Sequence, residues 1–362
     1  HWDDTASGPF DTVWDNTANA DEMAQFNAPS GAVSIQAGGI TTGGVELNTA
    51  GYTFSGGTLT IGSQGIEGRG TFNNPLSIAA NQDWNMAGNI TLDIGGPLSG
   101  SANITVAGGG LGGPTLILRS DNSSYTGTIA QNSAEIQLGS DNALGTGTLN
   151  ISAAPINAIN GGHTFANDIY KLVPNSDATI SLAGSNSMEF SGTFTIDAGI
   201  NPHYLAFDVT NTAATEFSGV IQQAAGDTWA RDVRKTGASR LIFSGNNTYD
   251  GETQVHEGTL VINGSPSTGN SYVVGGQGTA ARLAGSGTIT LNAANSSTLN
   301  IDADGTLAPG ESIGQLTVSD GDIIFGAADS ELELEIGGLT TAGSDYDQLV
   351  AANGDVQLDG AL

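Results

Sequence analysis

The hydrophobic positions of this chain recur at a spacing of two, in short runs, and nowhere hold the 3.6-residue period of a helix. Glu331-Leu332-Glu333-Leu334-Glu335-Ile336 alternates strictly, with carboxylates on one face and aliphatic side chains on the other. Such alternation predicts a half-buried strand, and its row of like charges discourages edge-to-edge pairing. Elsewhere, runs such as Ile136-Gln137-Leu138 and Leu260-Val261-Ile262 are bounded by glycine and polar turns. The pattern predicts many short strands joined by tight turns, with almost no helix.

These strands belong to repeats. Ser120-Asp121-Asn122-Ser123-Ser124-Tyr125-Thr126-Gly127 aligns without gaps on Ser244-Gly245-Asn246-Asn247-Thr248-Tyr249-Asp250-Gly251. In that register Ile117-Leu118 lies over Leu241-Ile242, and residues 136–138 lie over 260–262. Each copy reads as strand, polar turn ending in Tyr-x-Gly, strand. Phe-Ser-Gly recurs at Phe54, Phe190, Phe217 and Phe243, and Gly-Thr-Leu at Gly57, Gly147, Gly258 and Gly305. A repeat of roughly 20–27 residues cannot bury its apolar face alone, so its copies must stack as an all-β solenoid. In this reading glycine and asparagine supply positive φ at the corners, and Asn122, Asn246 and Asn247 form side-chain ladders between coils. Residues 1–30, with Trp2, Phe10, Trp14 and Phe26, are expected to be a cap or assembly segment. Residues 31–362 are expected to be one continuous β-helix, with repeat units near 115–150 and 235–265.

Residues 241–251, followed by Val255-His256-Glu257-Gly258-Thr259-Leu260, resemble the autotransporter-associated β-strand repeat. The segments Gly285-Ser286-Gly287-Thr288-Ile289, Leu307-Ala308-Pro309-Gly310, Ser312-Ile313-Gly314-Gln315-Leu316 and Asp345-Tyr346-Asp347-Gln348-Leu349-Val350 follow in the order seen in such passengers. The resemblance covers about half of the chain. It implies a right-handed parallel β-helix of short glycine-punctuated strands, export, and a place at or beyond the cell surface. Arg119 and Asp121 depart from the pattern, which has an apolar residue and a glycine there. The family's C-terminal translocator barrel has no counterpart in these residues, so export is expected through a longer chain or a general pathway. His1-Trp2-Asp3-Asp4 is expected to be a mature end left by cleavage.

Charge narrows the partners. The chain has 37 acidic residues against 8 basic ones, for a formal charge of −29. That argues against nucleic acid, which demands a basic footprint, and against anionic membranes. With no cysteine, disulfides and thiolate chemistry are excluded. No apolar run is long enough to span a bilayer, so no membrane insertion by this chain is expected.

Chemistry is sparse. The four histidines, His1, His163, His203 and His256, show no metal-ligand spacing, and no nucleophile-elbow, phosphate-loop or dinucleotide motif occurs. No catalytic residue and no bound organic cofactor is expected. Calcium is the one candidate cofactor, at the acidic turns of Asp302 with Asp304 and Asp320 with Asp322. Half of the bases, Arg231, Arg234, Lys235 and Arg240, fall within ten residues beside Trp229. They form a candidate assembly interface toward an acidic neighbouring copy, together with Trp2 and Trp14. The expected function is a non-catalytic extracellular structural protein: a stalk, a matrix component or a head-to-tail filament. The alternative is a carbohydrate-binding or polysaccharide-cleaving β-helix, in which Trp84, Trp229, Tyr204 or Tyr272 would stack on sugars, extracellular matrix glycans among them.

Overall fold

The computed structural model describes residues 16–358, without 18, 28, 110–112, 153, 172–177, 198–203 and 267–269. Trp2, Phe10 and Trp14, and so most of the expected N-terminal cap, lie outside the described residues. Among the described residues are 38 short strands, and the one helical element is the single 3-10 turn Ala293–Asn295. The strand ladders are parallel, and the fold is a β-solenoid. The chain forms two compact units, residues 1–150 and 151–362.

In the first unit, one face stacks strands Met23–Phe26, Ile40–Leu47, Leu59–Gly68, Gln82–Ala87, Ile104–Gly109 and Ile129–Asn132. The opposing face stacks Ala32–Ile35, Thr53–Gly56, Gly70–Phe72, Thr91–Ile94, Thr115–Leu118 and Glu135–Leu138. Apart from a register shift between Thr42 and Gly44, like residues fall in columns: Leu92 on Leu116 on Ile136, and Ile94 on Leu118 on Leu138. Phe54 stacks on Phe72 at 4.4 Å between ring centroids. Trp84 lies fully buried between Ile66 and Val106, its indole N–H donating to Gln82 Oε1 at 2.9 Å. Each such burial contributes roughly 1.5–3 kcal/mol, which is why period-two alternation suffices to set the register.

The second unit adds another sheet. Strands His163–Phe165, Met188–Phe190, Thr215–Phe217, Arg240–Phe243, Gly258–Ile262, Ala281–Gly285, Gly305–Pro309 and Glu331–Leu332 stack in that order. The Phe-Ser-Gly triplets are its aromatic column: Phe190 and Phe217 stack at 4.9 Å, and Phe243 meets Phe217 edge-on at 6.2 Å. Their glycines stack too. A Cβ on Gly219 would lie 1.9 Å from the Gly192 carbonyl oxygen, and one on Gly245 would lie 2.0 Å from that of Gly219. Neither requires positive φ; the coils approach too closely there for any side chain.

This sheet is buried on both faces along part of its length. Ile242, Val261, Ala284 and Ala308 pair in one column, pointing away from the main core, and form a second small cluster. Glu311 reaches back to this region, pairing with Arg240 and accepting from Asn263 Nδ2 at 3.0 Å. Uninterrupted apolar runs such as Leu241-Ile242-Phe243 are the mark of a strand covered on both sides.

The alternating segment 331–336 departs from expectation. It is exposed throughout rather than half-buried, and only Glu331–Leu332 is strand. Thr306 and Leu307 pair with it from one side, and among the described residues no further coil lies on the other. Alternation predicts which face would be buried, but burial needs a neighbour.

Candidate functional site

The repeat turn is a coil-to-coil clamp. Asn122 and Tyr125 are buried. Asn122 Oδ1 accepts from Leu98 N–H of the preceding coil at 2.7 Å, and its Nδ2 donates to Ala143 O of the next at 2.6 Å. Tyr125 O–H donates to Ala102 O at 2.8 Å, and burial pushes its phenol pKa above the usual range. A Cβ on Gly127 would lie 2.1 Å from Ala102 O. In the second copy, Asn247 Oδ1 accepts from Ile221 N–H at 2.8 Å, and the buried Tyr249 hydroxyl meets Thr253 Oγ1 at 2.7 Å. A Cβ on Gly251 would lie 2.1 Å from Arg231 O.

Two expectations change here. The asparagines do not ladder onto one another; each bonds the backbone of a neighbouring coil, which satisfies amides that the turn would otherwise strand. Asn122 is matched by Asn247 rather than Asn246. Asn246 is exposed and accepts from Ser265 N–H at 2.9 Å. The same device recurs where no motif pointed: Asn103, Asp168 and Asp232 accept from Thr128, Thr193 and Glu252 N–H, 25, 25 and 20 residues on. Arg119 explains its own departure from the repeat pattern by forking onto Asp93 of the preceding coil at 2.8 and 2.9 Å.

The basic segment does not form a surface patch. Arg231 is wholly buried, its Nε donating to Asp227 Oδ2 at 2.6 Å. Lys235 is buried too, and its ammonium donates to the carbonyls of Thr236, Gly237 and Glu257. Desolvation lowers its pKa to about 8, against the pull of Glu257 and Asp208. The Arg234 guanidinium lies 3.4 Å over the Tyr204 ring and bonds Gln254. Arg240 pairs with Glu311. Two of the four bases therefore have no surface to offer another copy: Arg231 pairs with Asp227 inside, and Lys235, on strand Val233–Thr236, caps three carbonyls. Trp2 and Trp14, the other residues named for assembly, lie outside the described residues.

The acidic turns carry the bonds of ordinary turns. Asp304 and Asp320 adopt positive φ, at 59° and 64°. Asp302 O closes its turn by accepting from Gly305 N–H at 3.0 Å. Asp320 Oδ1 accepts from Asn353 Nδ2, and the two Asp322 oxygens accept from Asp355 N–H and Gln357 Nε2. Among the described residues, no three histidine or acidic side chains come together in a way that could hold a metal ion.

Of the aromatics singled out for sugar stacking, Trp84 and Tyr272 are fully buried. Tyr204 lies beneath Arg234. Trp229 is exposed, with 49% of its surface facing solvent.

Strand Val233–Thr236, strand Arg240–Phe243, the Asn247 corner, strand Thr253–Val255 and strand Gly258–Ile262 form one continuous stretch of repeat. Residues 233–262 match the family model of the passenger-associated-transport-repeat. The chain is also similar, at 25% identity over 99% of its length, to the BmaC autotransporter adhesin of Brucella suis biovar 1 (strain 1330), of which it covers 13%. A 99-residue stretch, 25% of the chain, is 40% identical to an extracellular serine protease of Serratia marcescens and covers 8% of it. A 53-residue stretch, 13% of the chain, is 45% identical to an extracellular serine protease of the same organism and covers 5% of that protein. The chain thus spans 13% or less of the length of these curated relatives. No solved structure matches significantly. The parallel coils and the passenger-associated-transport-repeat at residues 233–262 agree: the chain is a β-solenoid that carries one passenger-type repeat. No helix among the described residues is long and apolar enough to cross a membrane.

Proposed function

We propose that this chain is a non-catalytic segment of an autotransporter-type passenger, displayed at the cell surface or released from it, whose stacked coils serve as an adhesin-like scaffold. The observation that carries this reading is the alignment of 99% of the chain with an adhesin autotransporter. The polar side chains support it. The turn asparagines, the acidic turns and the bases Arg231 and Lys235 hold coils and loops together, and none is gathered around an open reaction centre. A charge of −29 keeps such a surface solvated and mutually repelling.

Head-to-tail association is the finer form of this proposal. Leu334, Ile336 and Leu339 are 50, 75 and 89% exposed, and strand Glu331–Leu332 is the last of its sheet among the described residues. A coil from a second copy would cover both. Proteolysis is the second reading, favoured by the partial likeness to two serine proteases. Antibodies against the chain should label intact cells that make it, and the purified chain should leave casein and mixed polysaccharide substrates uncut. Hydrolysis that survives repurification would overturn the non-catalytic reading, and labelling only after lysis would overturn the surface location.

A further inference from the structure

Trp229 is the one large apolar side chain, among the described residues before 332, that is exposed to solvent. It stands on a loop held unusually firmly. Asp227 Oδ2 accepts from Arg231, its Oδ1 accepts from Trp229 N–H at 3.1 Å, its carbonyl accepts from Gln223 Nε2 at 3.3 Å, and its own N–H donates to Ala224 O at 3.1 Å. Gln223 is in turn tied to Asp250 twice, through Nε2 to Oδ2 at 3.0 Å and through Oε1 from the Asp250 N–H at 3.2 Å. Asn270 Nδ2 donates to Asp250 O. Burying an arginine and an aspartate in a short surface loop has a desolvation cost that good geometry must offset. What that arrangement achieves is one fixed backbone with an indole on the outside.

We propose that the 224–232 loop is a carbohydrate-binding site in which Trp229 stacks on an uncharged sugar ring. The chemistry of the surroundings selects this ligand. A protein hot spot sits among other apolar side chains, whereas this loop is bonded to Gln223, which is bonded in turn to Asp250 and, through it, to Asn270, all amide or carboxylate. An isolated aromatic face beside hydrogen-bonding groups complements a ligand that has one apolar face and a rim of hydroxyls. The chain's net charge of −29 disfavours uronate and sulfated glycans. A single stacking platform gives a Kd on the order of 1 mM, so useful avidity would come from many copies. The proposal rests on the chain being displayed outside the cell, but not on its being non-catalytic.

The test titrates the 362-residue chain with neutral oligosaccharides of glucose, galactose, mannose and N-acetylglucosamine, and with oligogalacturonate as the acidic control. Binding is followed by tryptophan fluorescence and by saturation-transfer NMR. One neutral class should saturate the protein, Trp229→Ala should weaken it at least about tenfold, and Trp229→Phe should retain most of the affinity, all three proteins melting at the same temperature. Preference for oligogalacturonate, no saturation by any neutral class, or binding unchanged in Trp229→Ala would overturn the site. Surface labelling of cells making the parent chain separates the two proposals: labelled cells whose parent protein binds no neutral sugar would leave the scaffold standing and overturn the site.

Discussion

Asn122 and Asn247 hold the same post in their two copies of the repeat: each follows a buried strand end, Leu118 or Phe243, by four residues. Each turns its Oδ1 back to the first backbone N–H of a strand in the preceding coil, that of Leu98 or Ile221. Asn122 also bonds forward to Ala143 O, whereas Asn247 Nδ2 is buried without a partner. Replacing either by alanine strands a buried amide, at a cost of about 1–3 kcal/mol. Asn122→Ala should be the more damaging because it also strands the Ala143 carbonyl, while the exposed Asn246→Ala should stay within about 0.5 kcal/mol of the parent. Urea unfolding midpoints of the three variants check the order.

The glycine column predicts a backbone clash. Gly219→Ala would drive a methyl into the Gly192 carbonyl, and no rotamer change relieves it. Destabilisation of at least about 1–3 kcal/mol is expected. Gly38→Ala, with nothing within 4 Å of its Cβ, is the control and should be near neutral. Thermal melts read both.

Lys171 and Lys235 predict a pH dependence of defined sign. Desolvation lowers each to about 8 from an ordinary 10.5. Between about 8 and 10.5 the unfolded chain therefore binds more protons than the folded one, and stability rises with pH. Above about 10 the buried phenols of Tyr125 and Tyr249, whose pKa values are raised, reverse the trend because they stay neutral only when folded. Lys171→Met should flatten the rise and be more stable than the parent at pH 7. Lys235→Met should flatten it too but lose stability at pH 7, since three carbonyls lose their donor. Denaturant midpoints measured across this pH range decide.

Asp227 and Arg231 should be strongly coupled. Arg231→Met leaves a buried carboxylate and Asp227→Asn leaves a buried guanidinium, each costing about 3–5 kcal/mol. The double variant should recover much of either loss. A double-mutant cycle showing simple additivity would mean that the pair contributes nothing as a pair.

The last rung predicts concentration-dependent association. Leu334→Lys and Ile336→Lys, at exposed positions, should leave the melting temperature unchanged and abolish any head-to-tail oligomer of the 362-residue chain in analytical ultracentrifugation. Oligomers that persist unaltered in both variants would exclude this rung as the contact.

Several features that look like chemistry in one dimension are structural in three. Arg231 and Lys235 read as a patch because charge is assumed to face water; here the loop after Gln223 folds Arg231 inward onto Asp227, and strand Val233–Thr236 turns Lys235 onto three carbonyls. Asp302, Asp304, Asp320 and Asp322 carry the composition of a calcium loop; positive φ at Asp304 and Asp320, and bonds from Asp320 and Asp322 to Asn353, Asp355 and Gln357, are turn contacts that the composition does not reveal. The gapless match of Asn122 to Asn246 misled by one position because the first copy has one more residue between its asparagine and its tyrosine. Asp227 carried no signal at all: an aspartate four residues before an arginine becomes informative only once both prove buried.

What the sequence by itself determined is the class of architecture. Period-two alternation, glycine-bounded strands and a repeat of roughly 20–27 residues leave stacking as the only way to bury the apolar face, so an all-β solenoid follows from local pattern. The recurring Phe-Ser-Gly and Asn-x-x-Tyr-type turns were visible for the same reason: a column of identical contacts demands identical residues. Tertiary structure alone decided which polar groups are spent inside and which are left for function. Burial and hydrogen-bond partners depend on residues about one coil away, some 20–33 positions along the chain. No local pattern encodes that distance, and so Trp84 and Trp229, alike in sequence, end as a core residue and a displayed one.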